Sequence, residues 1–227
     1  MTLAALLLPF ALLQAEAAPA PAAAAADPSA ARLARCVAAI EANPEQGYEE
    51  AMAWAADTHE VDAYECSAMA LVAMGHIESG ARRFELAARG VPASNAGARA
   101  MLYSKAGNAY LLARDGPHAL AALSEAVTLL ANTPAALPDA LIDRARAYAM
   151  VTEWRQSEED LSRALDLRPN DALALRLRAD ARMRQHAFDL AEADAQAAVT
   201  LEPNSVDARL ALGNVREAKR TGEPPLN

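Results

Sequence analysis

A chain of 227 residues has room for one long repeat array or for two small domains. Its residues are 53% apolar but only 4% aromatic, so the core has to be assembled from Ala and Leu, which suits helices packed closely and repeatedly. A net charge of −9 argues against a surface for nucleic-acid phosphates, which requires clustered Lys and Arg.

The chain opens on an uncharged apolar run, Leu3 to Leu13 (LAALLLPFALL), too short to span a bilayer comfortably. Ala15-Glu16-Ala17 comes next, a small-x-small sequence that a signal peptidase accepts, so residues 1–17 are expected to be a signal peptide. The n-region has no Lys or Arg, which leaves an uncleaved anchor or a cytosolic chain as alternatives, and no Cys stands behind the run to make a lipoprotein. Residues 18–27 are an expected Ala/Pro linker. An exported chain is also expected to bridge its two cysteines, Cys36 and Cys66. In a cytosolic chain the same two would be small buried hydrophobes.

From Asp27 the pattern is helical. Asp27-Pro28 is an N-cap followed by a first-turn Pro, and Leu33, Cys36, Val37 and Ile40 form one apolar stripe. Asn43-Pro44, with Gln46 placed as in a capping box, starts a second helix ending near Thr58. A clearer pair spans Val61 to Ser94, with Gly75 at its turn and Gly90 suited to a left-handed C-cap. The next unit is expected over Ala100 to Thr133, with Asp115-Gly116-Pro117 at its turn and an insertion, Pro134 to Leu137, behind it. A last helix from Val206 to about Arg220, capped by Asn204, is charged as a solubilising terminal cap must be, and residues 221–227 form an expected disordered tail.

Between Pro138 and Ser205 the sequence repeats itself at a thirty-four-residue interval. Leu141 recurs as Leu175, Arg144-Ala145 as Arg178-Ala179, Trp154 as Phe188, Asp160 as Asp194, Ala164 as Ala198 and Pro169-Asn170 as Pro203-Asn204. A fixed period with two helical stripes per unit and a Pro at the seam marks a helical solenoid. The recurring Arg144/Asp160 and Arg178/Asp194 pairs are most simply ion pairs that set helix packing.

Gly107-Asn108-Ala109-Tyr110, Leu212-Gly213-Asn214, Arg144-Ala145 with Tyr148, the small residues Ala191, Ala195 and Ala198, and the seam prolines Pro169 and Pro203 resemble the tetratricopeptide repeat (TPR) pattern. The resemblance covers roughly residues 28–220, and Arg182, Gly116 and Ser157 depart from it, standing where Tyr, an aromatic and Ala are usual. It implies an all-α, right-handed solenoid of about five helix pairs plus a C-terminal capping helix.

The resemblance also implies a concave side built from the first helix of each pair. Glu65, Met69, Val72, Asn108, Leu111, Leu112, Asp139, Asp143, Arg146, Met150, Arg176, Asp180, Arg184 and Asn214 should face it. The partner-binding set drawn from these is Met69, Asn108, Leu112, Arg146, Met150, Arg176, Asp180, Arg184 and Asn214, centred on Asn108, Arg146, Met150, Arg176 and Asp180. Its mixture of apolar, amide and guanidinium groups suits an extended peptide or a partner helix. Ser104 and Asp143 occupy places where a carboxylate-clamping TPR protein has Lys and Asn, so a chaperone-tail receptor is not expected.

Nothing points to catalysis. The sequence has no Gly-rich phosphate loop, no GxSxG and no HExxH, and His59, His76, His118 and His186 lack metal-ligand spacing. The expectation is a periplasmic or secreted, non-enzymatic adaptor or assembly factor that binds protein or peptide. It would need no cofactor, no metal and no nucleic acid, and would work as a monomer. The alternatives are a self-assembling structural protein and a cytosolic scaffold.

Overall fold

A computed structural model describes residues 28–225. The expected signal peptide, the linker, the Asp27 cap and the last two residues of the tail lie outside the described residues. Among those described there are eleven α-helices, arranged as five antiparallel pairs and a single last helix. The pairs are α1 (Pro28–Ala42) with α2 (Pro44–Thr58), α3 (Val61–Ala73) with α4 (Ile77–Gly90), α5 (Ala96–Leu112) with α6 (Gly116–Leu129), α7 (Leu137–Met150) with α8 (Trp154–Leu167), and α9 (Ala172–Arg184) with α10 (Phe188–Leu201). Helix α11 (Val206–Thr221) stands alone at the end. Each second helix packs on the following first helix, and α1 with α3, α5 with α7, α7 with α9 and α9 with α11 lie side by side. The result is an all-α solenoid.

Small residues make this close stacking possible. Ala68, Ala81, Ala106, Ala119, Ala126, Ala164, Ala174, Ala179, Ala191, Ala195 and Ala198 are fully buried. Leu102, Leu123, Leu141, Leu161 and Met183 fill the space between them. Repeat partners share environments: Leu141 and Leu175 are both buried, as are Ala164 and Ala198.

Four of the five turns inside the pairs are built alike. Helices α3, α5, α7 and α9 each end with a residue in the left-handed region: Gly75, Arg114, Thr152 and His186. The next N–H returns to the carbonyl five residues back, from His76 to Leu71, Asp115 to Tyr110, Glu153 to Tyr148 and Ala187 to Arg182, at 2.8 to 2.9 Å. These are Schellman closures, which satisfy carbonyls that a helix end leaves orphaned. The Asp115-Gly116-Pro117 turn is therefore real, but its left-handed residue is Arg114.

Several expected details differ. Gly90 is the last residue of α4, and the cap is Val91 with φ −69° and ψ 132°. Pro92 forces the preceding residue into that extended region, so no left-handed glycine is required. Helix α5 starts at Ala96 because Asn95 accepts a hydrogen bond from the Ala98 N–H. Ser205, rather than Asn204, caps α11 by accepting from Ala208. Asn43 caps α2 by accepting from the Gln46 N–H, but the Gln46 amide donates to Glu50 at 3.0 Å. The capping box is thus half formed. Leu137 belongs to α7 and is buried, so the insertion behind α6 includes a core residue. Thr221 completes α11, and Gly222, at φ 81°, turns the chain out of it.

Candidate functional site

The arginines of the array sort into two groups. Arg144 on α7 donates to both carboxylate oxygens of Asp160 on α8, at 2.6 and 2.7 Å. Arg178 on α9 does the same to Asp194 on α10, at 2.8 Å for each bond. Both aspartates are buried. Forked charge-assisted pairs of this kind fix the angle between two helices of a repeat. Arg182, one turn after Arg178, donates to Asp194 at 2.8 Å and to Glu158 of the preceding pair at 2.7 Å. In the α7 repeat its place is held by Tyr148, whose ring lies 5.7 Å beneath the Arg144 guanidinium. The departure from the family pattern at Arg182 therefore makes a bridge between repeats. Burial opposes ionisation of Glu158, but hydrogen bonds from Arg182 and Gln185 outweigh it and hold its carboxyl below the usual range.

The second group lies on the open side of the first helices. The Asn108 amide on α5 donates to Asp143 on α7 at 2.7 Å, and Arg146 donates to the other Asp143 oxygen at 3.1 Å. Arg146 also reaches the Asn108 carbonyl oxygen at 3.5 Å, which closes a triangle across two repeats. Leu112, 62% exposed, and Met150, 38% exposed, stand beside it. Together with Leu111 and Arg114 these side chains line one concavity. A second, of about 210 Å³, lies between α9 and α11, with Arg176, Asp180, Asp207, Leu210 and Asn214 on its walls. Burial pushes the Asp180 carboxyl up from its ordinary value, and the guanidinium groups of Arg184 and Arg176 only partly offset this.

Seven of the nine expected partner-binding residues thus line two neighbouring concavities: Asn108, Leu112, Arg146 and Met150 in one, and Arg176, Asp180 and Asn214 in the other. Met69 is half-buried against the core. Arg184 lies 5.7 Å over the Trp154 ring and donates to the Pro225 carbonyl at 2.9 Å, so it is engaged by the chain's own C-terminal segment. Glu65 and Leu111, expected to face the open side, are buried. Glu65 is ion-paired with Lys105 of the next first helix. Sequence reasoning missed Arg114 and the Lys105–Glu65 pair, which join positions on different helices that no short-range pattern links.

Cys36 on α1 and Cys66 on α3 meet in a cluster with Ala51, Trp54 and Ala63, their Cα atoms 6.2 Å apart and their sulfurs in contact. That separation lies inside the range a disulfide spans. His59, His76, His118 and His186 stand at helix ends and turns. Among the described residues no group of three His, Cys, Asp or Glu could hold a metal ion, and no helix is long and apolar enough to cross a membrane.

No family model and no curated protein matches the chain. Solved structures do. MamA residues 41-end from Desulfovibrio magneticus RS-1 superposes with a TM-score of 0.64 at 18% identity, over 78% of this chain and 95% of that one. The first TPR domain of the human RPAP3 protein gives a TM-score of 0.50 at 23% identity, over 54% of this chain and 93% of that one. With these superpositions and its paired helices, the chain has the tetratricopeptide-repeat fold.

Proposed function

We propose that the chain is a non-enzymatic adaptor or assembly factor that binds an extended segment or a helix of a partner protein along the open side of its first helices. One observation carries this reading. Positions that repeat in space along that side, Met69, Asn108, Arg146, Asp180 and Asn214, differ in chemistry from one repeat to the next, whereas the buried alanines and Arg–Asp pairs beneath them recur. A surface that varies over a core that does not is how repeat proteins select ligands. The exposed apolar pair Leu112 and Met150 supplies desolvation energy beside polar groups that set register.

Reversing the charge of Arg146 and Arg176 together is expected to weaken partner binding without lowering the melting temperature. The partner is to be isolated by crosslinking in an envelope extract and its affinity measured with the purified proteins. Unchanged affinity would move the site elsewhere. The same proposal places the mature chain in the periplasm or outside the cell, with residues 1–17 removed and Cys36 bridged to Cys66. A purified N-terminus near Ala18 and no titratable thiol are the expected results; an intact Met1 with two free thiols would overturn the export reading.

A further inference from the structure

Leu112, Met150 and Arg184 hold one place in the repeat, each the last residue of its first helix. Leu112 and Met150 stand open to solvent, whereas only 15% of the Arg184 side chain is exposed. The chain's own C-terminal segment accounts for part of that cover. Arg184 donates to the Pro225 carbonyl at 2.9 Å, 41 positions away in sequence, and Pro224 and Pro225 are half-buried although they lie beyond the last helix. A built turn directs them there. Gly222, at φ 81°, sends its N–H to the Ala218 carbonyl at 2.8 Å, and the Glu223 N–H donates to Thr221 Oγ1 at 3.3 Å.

The spot they reach belongs to the open side. Arg184 is one turn beyond Asp180, lies 3.8 Å from its carboxylate, and so stands at the end of the concavity between α9 and α11. Trp154 supports the guanidinium from beneath, and stacking on an indole holds the planar group in place as a hydrogen-bond donor. A proline pair suits such a donor. Proline has a fixed φ and no N–H, so an extended Pro-Pro segment presents carbonyl acceptors, brings fewer backbone donors to satisfy and loses little freedom on docking.

We propose that Arg184, on its Trp154 support, is a subsite for the backbone carbonyl of an extended, proline-containing segment, and that residues 223–225 fill it in cis. The C-terminal segment is thus an internal competitor. A partner segment that takes Arg184 has to displace it, and the partner's apparent affinity is scaled down by the fraction of chains in which the subsite stands open. The role of an outside partner rests on the groove reading; the cis contact stands without it.

Arginine labelling with phenylglyoxal, read at Arg184 by mass spectrometry with Arg146 as the reference, tests the contact. In the full chain Arg184 is expected to react slowly. Ending the chain at Gly222 keeps the α11 cap and should speed its labelling at least about fivefold relative to Arg146. Pro224→Gly with Pro225→Gly, which keeps length and charge, should speed it at least about twofold by adding freedom to the undocked segment. Unchanged melting curves confirm that both variants fold. The probe for the subsite is the free peptide of residues 221–227, TGEPPLN. On the shortened chain it should restore slow labelling of Arg184 at millimolar concentration, the range a tethered segment experiences. A fluorescent form should bind the full chain at least about fivefold more weakly than the shortened one. Arg184 labelling indifferent to loss of residues 223–227 overturns the cis contact, and equal peptide binding by the two chains overturns the competition. A shortened chain that about 10 mM peptide does not protect overturns the subsite. The groove reading fails separately, if reversing Arg146 and Arg176 leaves partner affinity unchanged.

Discussion

Gly107 and Gly213 occupy the same place in the repeat pattern, yet alanine at the two positions is expected to have opposite effects. A Cβ built on Gly107 would lie 2.3, 2.7 and 3.0 Å from Leu123 Cγ, Cδ2 and Cδ1, against about 3.5–4.0 Å for an unstrained carbon–carbon contact. Leu123 is fully buried between α5 and α6, so it has no free direction in which to retreat. Overpacking of this kind costs about 1–3 kcal/mol. The better helix propensity of Ala returns at most about 1 kcal/mol. Gly107→Ala should therefore destabilise the fold by about 1–2 kcal/mol. A Cβ on Gly213 meets nothing within 4 Å, because α11 has no second helix packed on that face among the described residues. Gly213→Ala should keep the propensity gain and stabilise by about 0.5–1 kcal/mol. Urea denaturation at neutral pH and low protein concentration reads both, and the two variants should differ by about 2 kcal/mol. A neutral or stabilising Gly107→Ala would refute the claim that α5 and α6 are held at contact distance by that glycine.

Asp194→Ala leaves Arg178 and Arg182 without a shared acceptor in a half-buried site and should cost about 3–4 kcal/mol by urea denaturation; Asp160→Ala, which strands mainly Arg144, should cost about 1 kcal/mol less. Thr152 is β-branched at φ 64°, so Thr152→Gly should raise thermal stability by about 0.5–1 kcal/mol, the strain relieved outweighing the added freedom of the unfolded chain. Glu158 titrates below the usual carboxylate range in the folded chain, so its ionised form contributes stability that is fully present above the unfolded pKa of about 4.3 and is lost as pH falls through the lower folded value. The stability gap between wild type and Glu158→Gln should accordingly be constant above about pH 5 and close in stronger acid; a gap that widens on acidification would contradict the assigned hydrogen bonds.

What could be read from the sequence and what could not divides along one physical line. Alanine stripes, seam prolines and the Arg144/Asp160 and Arg178/Asp194 pairs depend on spacing within a repeat, and spacing is what a sequence displays. The left-handed residues at Arg114 and Thr152 were invisible because neither residue type favours that region; closure of the helix pair imposes it on whatever side chain stands there. Gly90 misled for the converse reason, since its own conformational freedom goes unused once Pro92 has set Val91. On the open side the sequence placed Asn108 and Arg146 on the right helices. It did not show that both converge on Asp143, because that contact spans two repeats with an insertion between them.

That convergence bears on how the groove would work. An open-side arginine such as Arg146, with 47% of its side chain exposed, holds Asp143 in a pair worth about 0–1 kcal/mol. Arg144, Arg178 and Arg182 keep only 15–17% exposure, and breaking any of their pairs uncovers a poorly hydrated charge. A ligand carboxylate or amide that replaces the Arg146–Asp143 contact therefore displaces little energy, whereas no ligand would gain by opening the Arg–Asp forks. Burial thus separates arginines of the same chemical type into those that hold helices together and those free to change partner. On the groove reading, replacing Arg146 should alter affinity with little change in stability, and replacing Arg178 should do the reverse.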